Sequence, residues 1–444
     1  MRPRALTTFA ALVGTSVLTL SACGGGGGGG GTAGAPAADV AAAPEFSGTL
    51  SILTKFAGDP LEPYFKDLAA AYQKQHPEVK IELIQETDQS IKDKTKTLTA
   101  SDALPDIFFT WTGNWAENFV RGGRAADLSK VIGPDTEWGK TFSKASLSAF
   151  AFGGKYYGIP LYNNGKFMGY NTTAFEKAGV KVPTSFEELI SSCTPLRKAG
   201  YEPIAFGNKD GWPALHYMQQ LFAYSVPSDV FRADFNPETA KLDHPGYVNA
   251  LKQFKTLVTE CTDTRDGTNG VLYTSAQEAF SNGKAAMYYQ EVLEFDSVTG
   301  EKKLPVEEFG IFPLPVPQGA AGNPKTIEGA PEGYFVNAKS PRAALAVDFM
   351  KFVTNAENAK TLSSPPYGQP STVIGAVTEE TSSKPVFKGI EAVNQAPELV
   401  SWLDMVTVPE VSDAWLAGGE GLISGGMTPE KVLESVREAS NSAK

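Results

Sequence analysis

The spacing of apolar residues predicts alternating strands and helices from residue 48 onward. Leu50 and Ile52 alternate with polar neighbours, and the same alternation returns over 79–83, which predicts two β-strands. Between them, apolar side chains recur at helical spacing over 61–72, which predicts a helix. A helix between two strands requires a crossover and favours parallel pairing of those strands. The pattern therefore predicts an α/β sheet.

The unit of helix and strand repeats further along the chain. A helix is expected over 92–103, and Leu104-Pro105 ends it before an apolar strand over 107–109. Thr184-Ser185-Phe186-Glu187 is a capping-box arrangement and predicts a helix that ends near Gly200. No internal repeat of short period is found, which argues against a solenoid.

The N-terminal residues predict export and lipid anchoring. Arg2 and Arg4 precede an apolar run over 10–20 that is too short to span a bilayer, so 1–22 is expected to be a signal peptide. Leu20-Ser21-Ala22-Cys23 matches the cleavage pattern of bacterial lipoproteins, in which the new N-terminal cysteine is lipidated; the alternative is a chance cysteine. Residues 23–45, rich in Gly and Ala, are expected to form a flexible tether.

The size and the charge of the chain limit its domain organisation and its partners. Removing 1–22 from 444 residues leaves 422, which is too many for one core of usual size and predicts two lobes that start near Phe46. The formal charge of −11 becomes −13 without Arg2 and Arg4. An acidic protein repels phosphate backbones, so nucleic acid is not expected as a partner.

Two cysteines remain after Cys23, namely Cys193 and Cys261. In an oxidising compartment such a pair is usually bridged, and we expect a disulfide between them. The alternative is two buried free thiols, because nothing in the sequence sets the distance between the two residues.

The chain lacks the enzyme signatures that can be searched for directly. No Gly-x-Ser-x-Gly elbow, no phosphate-binding loop and no His-Glu-x-x-His zinc helix occurs in it. His76, His216 and His244 are too far apart in sequence to suggest a metal site or a triad, and we expect them in surface or packing roles. No enzyme activity, metal or cofactor is therefore expected. The sequence does not exclude a pair of glycosidase carboxylates, such as Glu291 and Glu332.

Aromatic residues cluster in the loops that follow predicted strands. Trp111 and Trp115 follow the strand over 107–109, and Tyr162, Trp212 and Trp402 lie in similar positions. Loops at strand ends are where α/β sheets bind ligands. A sugar ring stacks on flat aromatic side chains while neighbouring carboxylates and amides bind its hydroxyls. The cluster therefore favours a carbohydrate ligand, with packing inside or between lobes as the alternative.

Three segments carry a family resemblance. They are Leu104-Pro105-Asp106-Ile107-Phe108, then Gly153-Gly154-Lys155-Tyr156-Tyr157-Gly158-Ile159-Pro160 followed by Tyr170-Asn171, and Ala279-Phe280-Ser281-Asn282-Gly283-Lys284-Ala285-Ala286-Met287. In this order and spacing, the chain from Phe46 to its end resembles the bacterial solute-binding proteins of the maltose-binding, family 1, type.

The resemblance implies a two-lobed, type II periplasmic-binding-protein-like α/β fold whose hinge the chain crosses repeatedly. Lobe one would comprise 46–160 and 313–366, and lobe two 161–312 and 367–444. Crossings are expected near Ile159-Pro160, Phe312-Pro313 and Tyr367.

The resemblance also places ligand-contacting residues in the cleft between the lobes. These are Lys55, Phe56, Trp111, Thr112, Tyr162, Asn163, Asn164, Trp212, Gln290, Glu291, Glu332, Gly333, Tyr334, Tyr367, Gln369, Trp402 and Asp404. Many relatives have a small-residue turn and a tryptophan where this chain has Tyr288-Tyr289-Gln290-Glu291, so a carboxylate or amide would replace stacking there.

The function implied is that of a lipid-anchored, monomeric binding protein on the outer face of the cytoplasmic membrane. It would capture a carbohydrate, expected to be an oligosaccharide, by hinge closure and deliver it to the permease subunits of an ABC importer. The alternatives are a binder of a polyol phosphate, polyamine or peptide, a surface glycan-active enzyme, and a sensor or adhesion lipoprotein.

Overall fold

A computed structural model of the chain describes residues 39–298 and 309–444. The strands are β1 (Gly48–Thr54), β2 (Val79–Gln85), β3 (Ile107–Thr110), β4 (Ala151–Phe152), β5 (Lys155–Tyr156), β6 (Gly158–Tyr162), β7 (Lys166–Asn171), β8 (Glu202–Ala205), β9 (Ala285–Glu291), β10 (Phe309–Phe312), β11 (Ile327–Glu328), β12 (Glu332–Val336) and β13 (Leu399–Val400). The helices are α1 (Glu62–Gln75), α2 (Asp88–Ala100), α3 (Gly113–Arg121), α4 (Ser129–Ile132), α5 (Lys144–Ser148), α6 (Thr172–Ala178), α7 (Phe186–Lys198), α8 (Trp212–Ser225), α9 (Ser228–Ala233), α10 (Pro245–Cys261), α11 (Tyr273–Ser281), α12 (Val292–Val298), α13 (Ala343–Val353), α14 (Ala356–Ser363), α15 (Lys384–Gln395), α16 (Leu403–Val406), α17 (Pro409–Ile423) and α18 (Pro429–Ser442). Short 3-10 helices cover Gly139–Thr141 and Arg265–Gly270.

Two separate main sheets define two lobes. The first has the strand order β2-β1-β3-β12-β6, with β1 parallel to β2 and β3 and with β12 antiparallel to its neighbours. The second has the order β10-β7-β9-β8, in which only the β8 and β9 pair is parallel. Each sheet is buried in hydrophobic clusters of its own. The α/β fold class and the two lobes predicted from the sequence are confirmed.

The first lobe follows directly from the periodicity of the sequence. Leu50 lies opposite Ile81 and Ile52 opposite Leu83 in parallel register, with α1 as the crossover between the two strands. A parallel pair needs such a crossover, and α1 buries one face against the sheet through residues that include Phe65 and Leu68. The expected strand, helix and strand unit is therefore present.

Helix α7 begins one residue later than the capping pattern predicts. The N-cap is Ser185, whose side chain accepts a hydrogen bond from the backbone N–H of Glu188, 3.2 Å away. The Glu188 carboxylate in turn accepts from the backbone N–H of Thr184 at 2.7 Å. The reciprocal partner is thus Glu188 and not Glu187, because the chain has two successive glutamates and the second one occupies the third helical position.

The chain passes between the sheets through short segments that lie side by side. Strand β6 belongs to the first sheet and β7 to the second, so one passage falls within 163–165. The backbone N–H of Asn163 donates to the Pro370 carbonyl at 2.7 Å. The β11 and β13 strands form a parallel pair beside these segments. Leu314 and Ile327 belong to clusters around the second sheet, and the predicted lobe boundaries stay a prediction.

The expected disulfide is confirmed, and it joins two helices of the second lobe. Cys193 of α7 is bonded to Cys261 at the end of α10, with the two Cα atoms 5.2 Å apart. The predicted signal peptide over 1–22 and the lipidated Cys23 lie outside the described residues. Within the described part of the predicted tether, Val40 is buried in the core of the first lobe. No helix in the described ranges is long and apolar enough to cross a membrane.

Candidate functional site

Strand ends and helix starts from both lobes meet around one cavity, which we call the inner cavity. Its lining residues are Asp88, Lys92, Trp111, Trp212, His216, Tyr273, Glu291, Glu294, Glu332, Trp402, Asp404 and Met405. Trp111 follows β3 and Glu332 begins β12 in the first sheet, whereas Glu291 ends β9 in the second. The cavity is small, about 50 Å³, which leaves room for a few water molecules but not for a sugar ring.

On the side of the first lobe, a buried lysine organises the polar groups. Lys55 Nζ lies 2.7 Å from Glu332 Oε2 and 2.9 Å from Asp88 Oδ1. The Tyr162 hydroxyl donates to the same Glu332 oxygen at 2.6 Å. Burial alone would lower the pKa of Lys55, but the charges of Asp88 and Glu332 raise it well above its usual range, so the ammonium stays charged. Asp88 is at the rim, with 49% of its side chain exposed.

On the side of the second lobe, Lys166 has the corresponding role. Its Nζ lies 3.2 Å from Glu291 Oε1, and its side chain is only 3% exposed. The ammonium also lies 5.3 Å from the ring centre of Trp402 and 5.8 Å from that of Trp212. Asn164 donates to the other Glu291 oxygen. A cation near two aromatic faces is attracted by both rings, so Lys166 fixes the two tryptophans and the carboxylate together.

Between the lobes, an ion pair and a hydrogen bond connect the two sides. Lys92 Nζ of α2 lies 2.9 Å from Asp404 Oδ2 of α16 and 5.4 Å from the ring centre of Trp111. The hydroxyls of Thr112 and Ser401 are 3.0 Å apart. These contacts hold α16 against the ends of the first sheet.

The inner cavity is acidic. Five of its twelve lining residues are carboxylates, whereas one is a lysine. Burial, followed by the negative charge of Glu291, raises the pKa of Glu294 to about 8. Glu294 also accepts a hydrogen bond from Gln277 Nε2 at 2.7 Å. The pairs described above already neutralise Lys55, Lys92 and Lys166, so the cavity presents acceptors more than cations.

Eleven of the seventeen predicted site residues lie in or beside this cavity. Trp111, Trp212, Glu291, Glu332, Trp402 and Asp404 line it. Lys55, Tyr162 and Asn164 bind lining residues through the ion pair and hydrogen bonds given above, and Thr112 lies beside the cavity as the residue after Trp111. Gln290 lines a smaller adjoining cavity together with Trp212 and Glu294.

Six other predicted site residues lie away from the inner cavity. Phe56 and Tyr334 are buried in the aromatic core of the first lobe, and Tyr367 lies against Tyr64, with ring centres 5.1 Å apart. Gln369 Nε2 donates to the backbone carbonyl of Tyr367, and Asn163 Oδ1 accepts from the Ser146 hydroxyl. Gly333 lies inside the first sheet, opposite Thr110 and Pro160. Their contact with a ligand stays a prediction.

Several lining residues were not predicted from the sequence. They are Asp88, Lys92, His216, Tyr273, Glu294 and Met405, and Lys166, which lines the smaller adjoining cavity, was not predicted either. His216, expected in a surface or packing role, is buried, and its ring centre lies 5.2 Å from those of both Trp212 and Trp402. Lys166 could have been identified from its position, because a lysine rarely begins a strand whose residues are mostly buried. No group of His, Cys, Asp and Glu in the described ranges has an arrangement that could hold a metal ion.

Comparison with known proteins identifies the family. The family model described as bacterial extracellular solute-binding protein matches residues 58–360. A binding protein of Brucella abortus is 25% identical over 264 residues, which are 59% of this chain and 62% of that protein, so the chain spans less than two thirds of its length. The multiple sugar-binding protein of Streptococcus mutans is 21% identical over 301 residues, which are 67% of this chain and 69% of that protein.

A solved structure of a chitin oligosaccharide binding protein has the same fold. It superposes with a TM-score of 0.81 at 22% identity, and the match covers 90% of this chain and 99% of that chain. The family match extends from α1 in the first lobe, through the whole second sheet, to α14. The chain therefore belongs to the family of bacterial extracellular solute-binding proteins.

Proposed function

We propose that this protein is the binding component of an ABC importer and that it captures an oligosaccharide in the inner cavity. The observation that carries the proposal is the set of three tryptophans, Trp111, Trp212 and Trp402, around a cavity rich in carboxylates. A sugar ring has two apolar faces and a rim of hydroxyls, so it needs aromatic faces and hydrogen-bond acceptors in one place. The similarity to sugar-binding proteins supports the same ligand class.

An unsatisfied amide beside the cavity supports a polar ligand. Gln290 is 1% exposed, and neither its Oε1 nor its Nε2 has a hydrogen-bond partner among the described residues. Leaving a buried polar group unpaired costs about 1–3 kcal/mol. A sugar hydroxyl can donate to the amide oxygen and accept from the amide nitrogen at once, so a bound sugar would remove this cost.

The mechanism requires the lobes to separate and close again. The present cavity is too small for a ring, and Lys92 with Asp404 and Thr112 with Ser401 bridge its two sides. A ligand that contacts both lobes stabilises the closed arrangement by its higher affinity for that arrangement. The short passages between the sheets, at 163–165 and near Gly329, would act as the hinge. The permease would then recognise the closed form.

The cellular setting belongs to the same proposal. Family membership supports an extracytoplasmic location. Lipidation of Cys23 would hold the monomeric protein at the outer face of the cytoplasmic membrane, with residues of the predicted tether as a spacer. The contact residues expected from the sequence that lie in or beside the inner cavity form the proposed ligand contacts, with Lys166 and His216 as supports; contact of the other six with a ligand stays a prediction.

The charged groups of the cavity distinguish between the alternative ligands and functions. A polyol phosphate would need a cation that is free to bind it, but Lys55, Lys92 and Lys166 are each paired with a carboxylate. A polyamine is the second candidate, because the five carboxylates of the lining outnumber the three lysines that pair with them; the excess is small, since the pKa of Glu294 is raised to about 8. A glycan-active enzyme built on Glu291 and Glu332 is disfavoured because both side chains are engaged, by Lys166 and by Lys55 and Tyr162.

The experiment is a calorimetric and thermal-shift panel on the purified protein. The panel contains malto-, cello-, xylo- and chito-oligosaccharides, with polyamines, sugar phosphates and amino acids as competitors. We expect one glycan series to raise the melting temperature selectively and to be recovered without hydrolysis. A shift with polyamines alone would reject the carbohydrate, and product formation would establish an enzyme.

A tryptophan variant connects the binding to the cavity. Trp212→Ala should weaken binding of the selected glycan by about tenfold to a hundredfold, since it removes one stacking face. Trp138→Phe is the matched control, because Trp138 is buried in the first lobe and its Nε1 donates to Thr354 Oγ1 at 3.0 Å, outside the cavity. Equal losses in the two variants would mean that the cavity is not the binding site.

A further inference from the structure

The smaller cavity that adjoins the inner cavity is a recess inside the second lobe, and we call it the side recess. Its lining residues all lie between Lys166 and Glu294, in the second sheet and the elements around it. It shares Trp212, His216, Tyr273 and Glu294 with the inner cavity. Its volume is about 20 Å³, which is room for one group the size of a water molecule or a methyl. Because the side recess belongs to one lobe, it should keep its shape when the lobes separate as rigid bodies.

Three buried polar atoms of the lining residues have no partner among the described residues. Two are the amide oxygen and nitrogen of Gln290 on β9. The third is the hydroxyl of Tyr217 on α8, which is 2% exposed; it lies near the backbone of Tyr289 but makes no hydrogen bond. Buried polar atoms in native proteins are almost always paired, so three unpaired atoms around one recess indicate a polar occupant.

The wall of the side recess is also strongly aromatic. Six of its twelve lining residues carry aromatic rings, namely Phe206, Trp212, Tyr217, Tyr273, Tyr288 and Tyr289. The ring centre of Tyr217 lies 5.0 Å from that of Phe206 and 4.7 Å from that of Tyr289. Ring faces gain from contact with an apolar group, which they remove from water. The occupant therefore needs an apolar end beside its polar atoms.

The charged groups of the side recess favour a neutral occupant. Lys166 is already paired with Glu291. Burial, followed by the negative charge of Glu291, raises the pKa of Glu294 to about 8, so this side chain is largely protonated at neutral pH. Burial also lowers the pKa of His216 well below its usual value, so its ring is neutral. An anion or a cation in the recess would therefore find no unpaired opposite charge.

We propose that the side recess takes the acetamido group of an N-acetylated sugar whose ring lies in the inner cavity. The inference rests on the proposed function and adds the substituent of the sugar to it. The acetamido methyl contacts the aromatic wall, and the carbonyl oxygen accepts from Gln290 Nε2 and from the Tyr217 hydroxyl. The hydroxyl on the adjacent ring carbon donates to Gln290 Oε1. Trp212 borders both spaces, so a ring that stacks on it can direct its substituent into the recess.

A sugar without the acetamido group uses the side recess less completely. One hydroxyl can pair with both amide atoms of Gln290, but the Tyr217 hydroxyl then stays unpaired and the aromatic wall contacts no apolar group. An amino sugar is charged at neutral pH, and its ammonium has no acceptor for the hydrogen bonds that Gln290 Nε2 and the Tyr217 hydroxyl can donate. The recess therefore distinguishes between sugars by one substituent.

The test compares oligosaccharides of equal length and linkage that differ in this substituent alone. Chito-oligosaccharides carry an acetamido group, cello-oligosaccharides a hydroxyl and chitosan oligosaccharides an amine. Calorimetry would measure their affinities for the unmodified protein, for Gln290→Leu and for Tyr217→Phe. Gln253→Leu is the matched control, because Gln253 of α10 also has an unpaired amide oxygen but lines neither space. Melting temperatures of the free variants show whether they fold.

We expect the unmodified protein to bind the chito series about tenfold more tightly than the cello series of equal length. Gln290→Leu and Tyr217→Phe should each lower this preference about fivefold, which is the loss of one net hydrogen bond, and Gln253→Leu should leave it unchanged. Equal affinity for the two series, or equal losses from both in the variants, would mean that the recess holds water only and would overturn the proposal, as would tightest binding of the amine series. If no saccharide of any series binds the unmodified protein, the proposed function itself fails.

Discussion

His216 Nδ1 lies 2.8 Å from Glu328 Oε1, and this buried pair connects α8 of the second lobe to the short strand β11. The backbone N–H of Glu328 donates to Gln220 Oε1 of α8 at 2.8 Å, which holds the backbone of β11 against α8. The histidine ring in turn lies edge-on to Trp212 and Trp402. The pair therefore sets the position of two tryptophans that line the inner cavity.

The protonation of this pair differs between the folded and unfolded chain. Burial lowers the pKa of His216 well below its usual value, and the charges of Lys166 and Lys92 lower it further. Burial raises the pKa of Glu328 well above its usual value, Asp404 and Glu291 add to this effect, and Lys166 opposes it. The pair thus keeps the one proton of its hydrogen bond over a wide pH range in the folded state.

We predict a stability contribution from His216 and Glu328 that is greatest between about pH 4.5 and 6.5. In that window the unfolded pair holds one proton, as the folded pair does. Above the window the unfolded histidine loses its proton while the folded pair keeps one, so the free energy of unfolding falls by up to about 1.4 kcal/mol for each unit of rising pH. Below the window the unfolded glutamate gains a proton, and stability falls again. Urea unfolding of the protein between pH 4 and 8 measures these slopes.

The double variant His216→Phe with Glu328→Met should remove this part of the pH dependence. His76→Phe is the control, because His76 stacks on Phe46 with the ring centres 4.0 Å apart and does not line the inner cavity, so this part of the pH dependence should remain. Slopes that persist in the double variant would show that other groups produce them.

Lys166→Met should destabilise the fold and weaken ligand binding together. The substitution leaves Glu291 in the cleft without its cation, which costs about 3 kcal/mol for a buried ion pair that loses one partner. It also removes the cation between Trp212 and Trp402. Denaturant unfolding and calorimetry measure the two effects.

The double variant Lys166→Met with Glu291→Gln separates charge from packing. It should recover part of the lost stability, because no unpaired carboxylate remains. If the double variant is as unstable as the sum of the two single variants, the two residues do not interact energetically.

The sequence predicted those parts of the molecule that depend on local patterns. The α/β class followed from the periodicity around Leu50 and Ile81, and the disulfide from two cysteines in an exported chain. The tryptophans of the inner cavity could be predicted because they are aromatic residues that follow strands, as Trp111 follows β3.

The parts that the sequence did not predict depend on long-range packing. Lys92 reaches Asp404 only because α16 returns beside α2, some 300 positions later in the chain. Neither residue has an unusual neighbour in sequence, so no local pattern marks the ion pair. Lys166 and His216 are similar cases, because their partners Glu291 and Glu328 lie on other elements.

Reducing the disulfide should lower stability without affecting binding. The bond between Cys193 and Cys261 closes a loop with a sequence separation of 68, for which chain entropy predicts about 4 kcal/mol of stabilisation. Neither cysteine lines the inner cavity. Unfolding with and without a reductant, and calorimetry in both conditions, test this expectation. The stability of the double variant Cys193→Ala with Cys261→Ala should not change when the reductant is added. A change would show that the reductant acts on a group other than this disulfide.

Gly329→Ala should oppose closure of the lobes. A Cβ atom at Gly329 would lie 2.4 Å from the carbonyl oxygen of Asn164 and 2.9 Å from the Cα of Gly165, and both are backbone atoms that cannot rotate away. The two passages between the sheets would have to move apart, at a cost of about 1–3 kcal/mol. We expect the ligand-bound closed form, which must be wider than the present cavity, to keep these two passages together, so the variant should favour separated lobes and weaken ligand binding.

Gly267→Ala is the matched control for this hinge variant. Nothing lies within 4 Å of the Cβ position at Gly267, which is in the short 3-10 helix Arg265–Gly270. An alanine there should change stability by less than about 1 kcal/mol and leave affinity unchanged. Small-angle scattering with and without the selected glycan would report separation of the lobes. If Gly329→Ala binds and compacts as the unmodified protein does, the close approach of Gly329 to Asn164 has no part in closure.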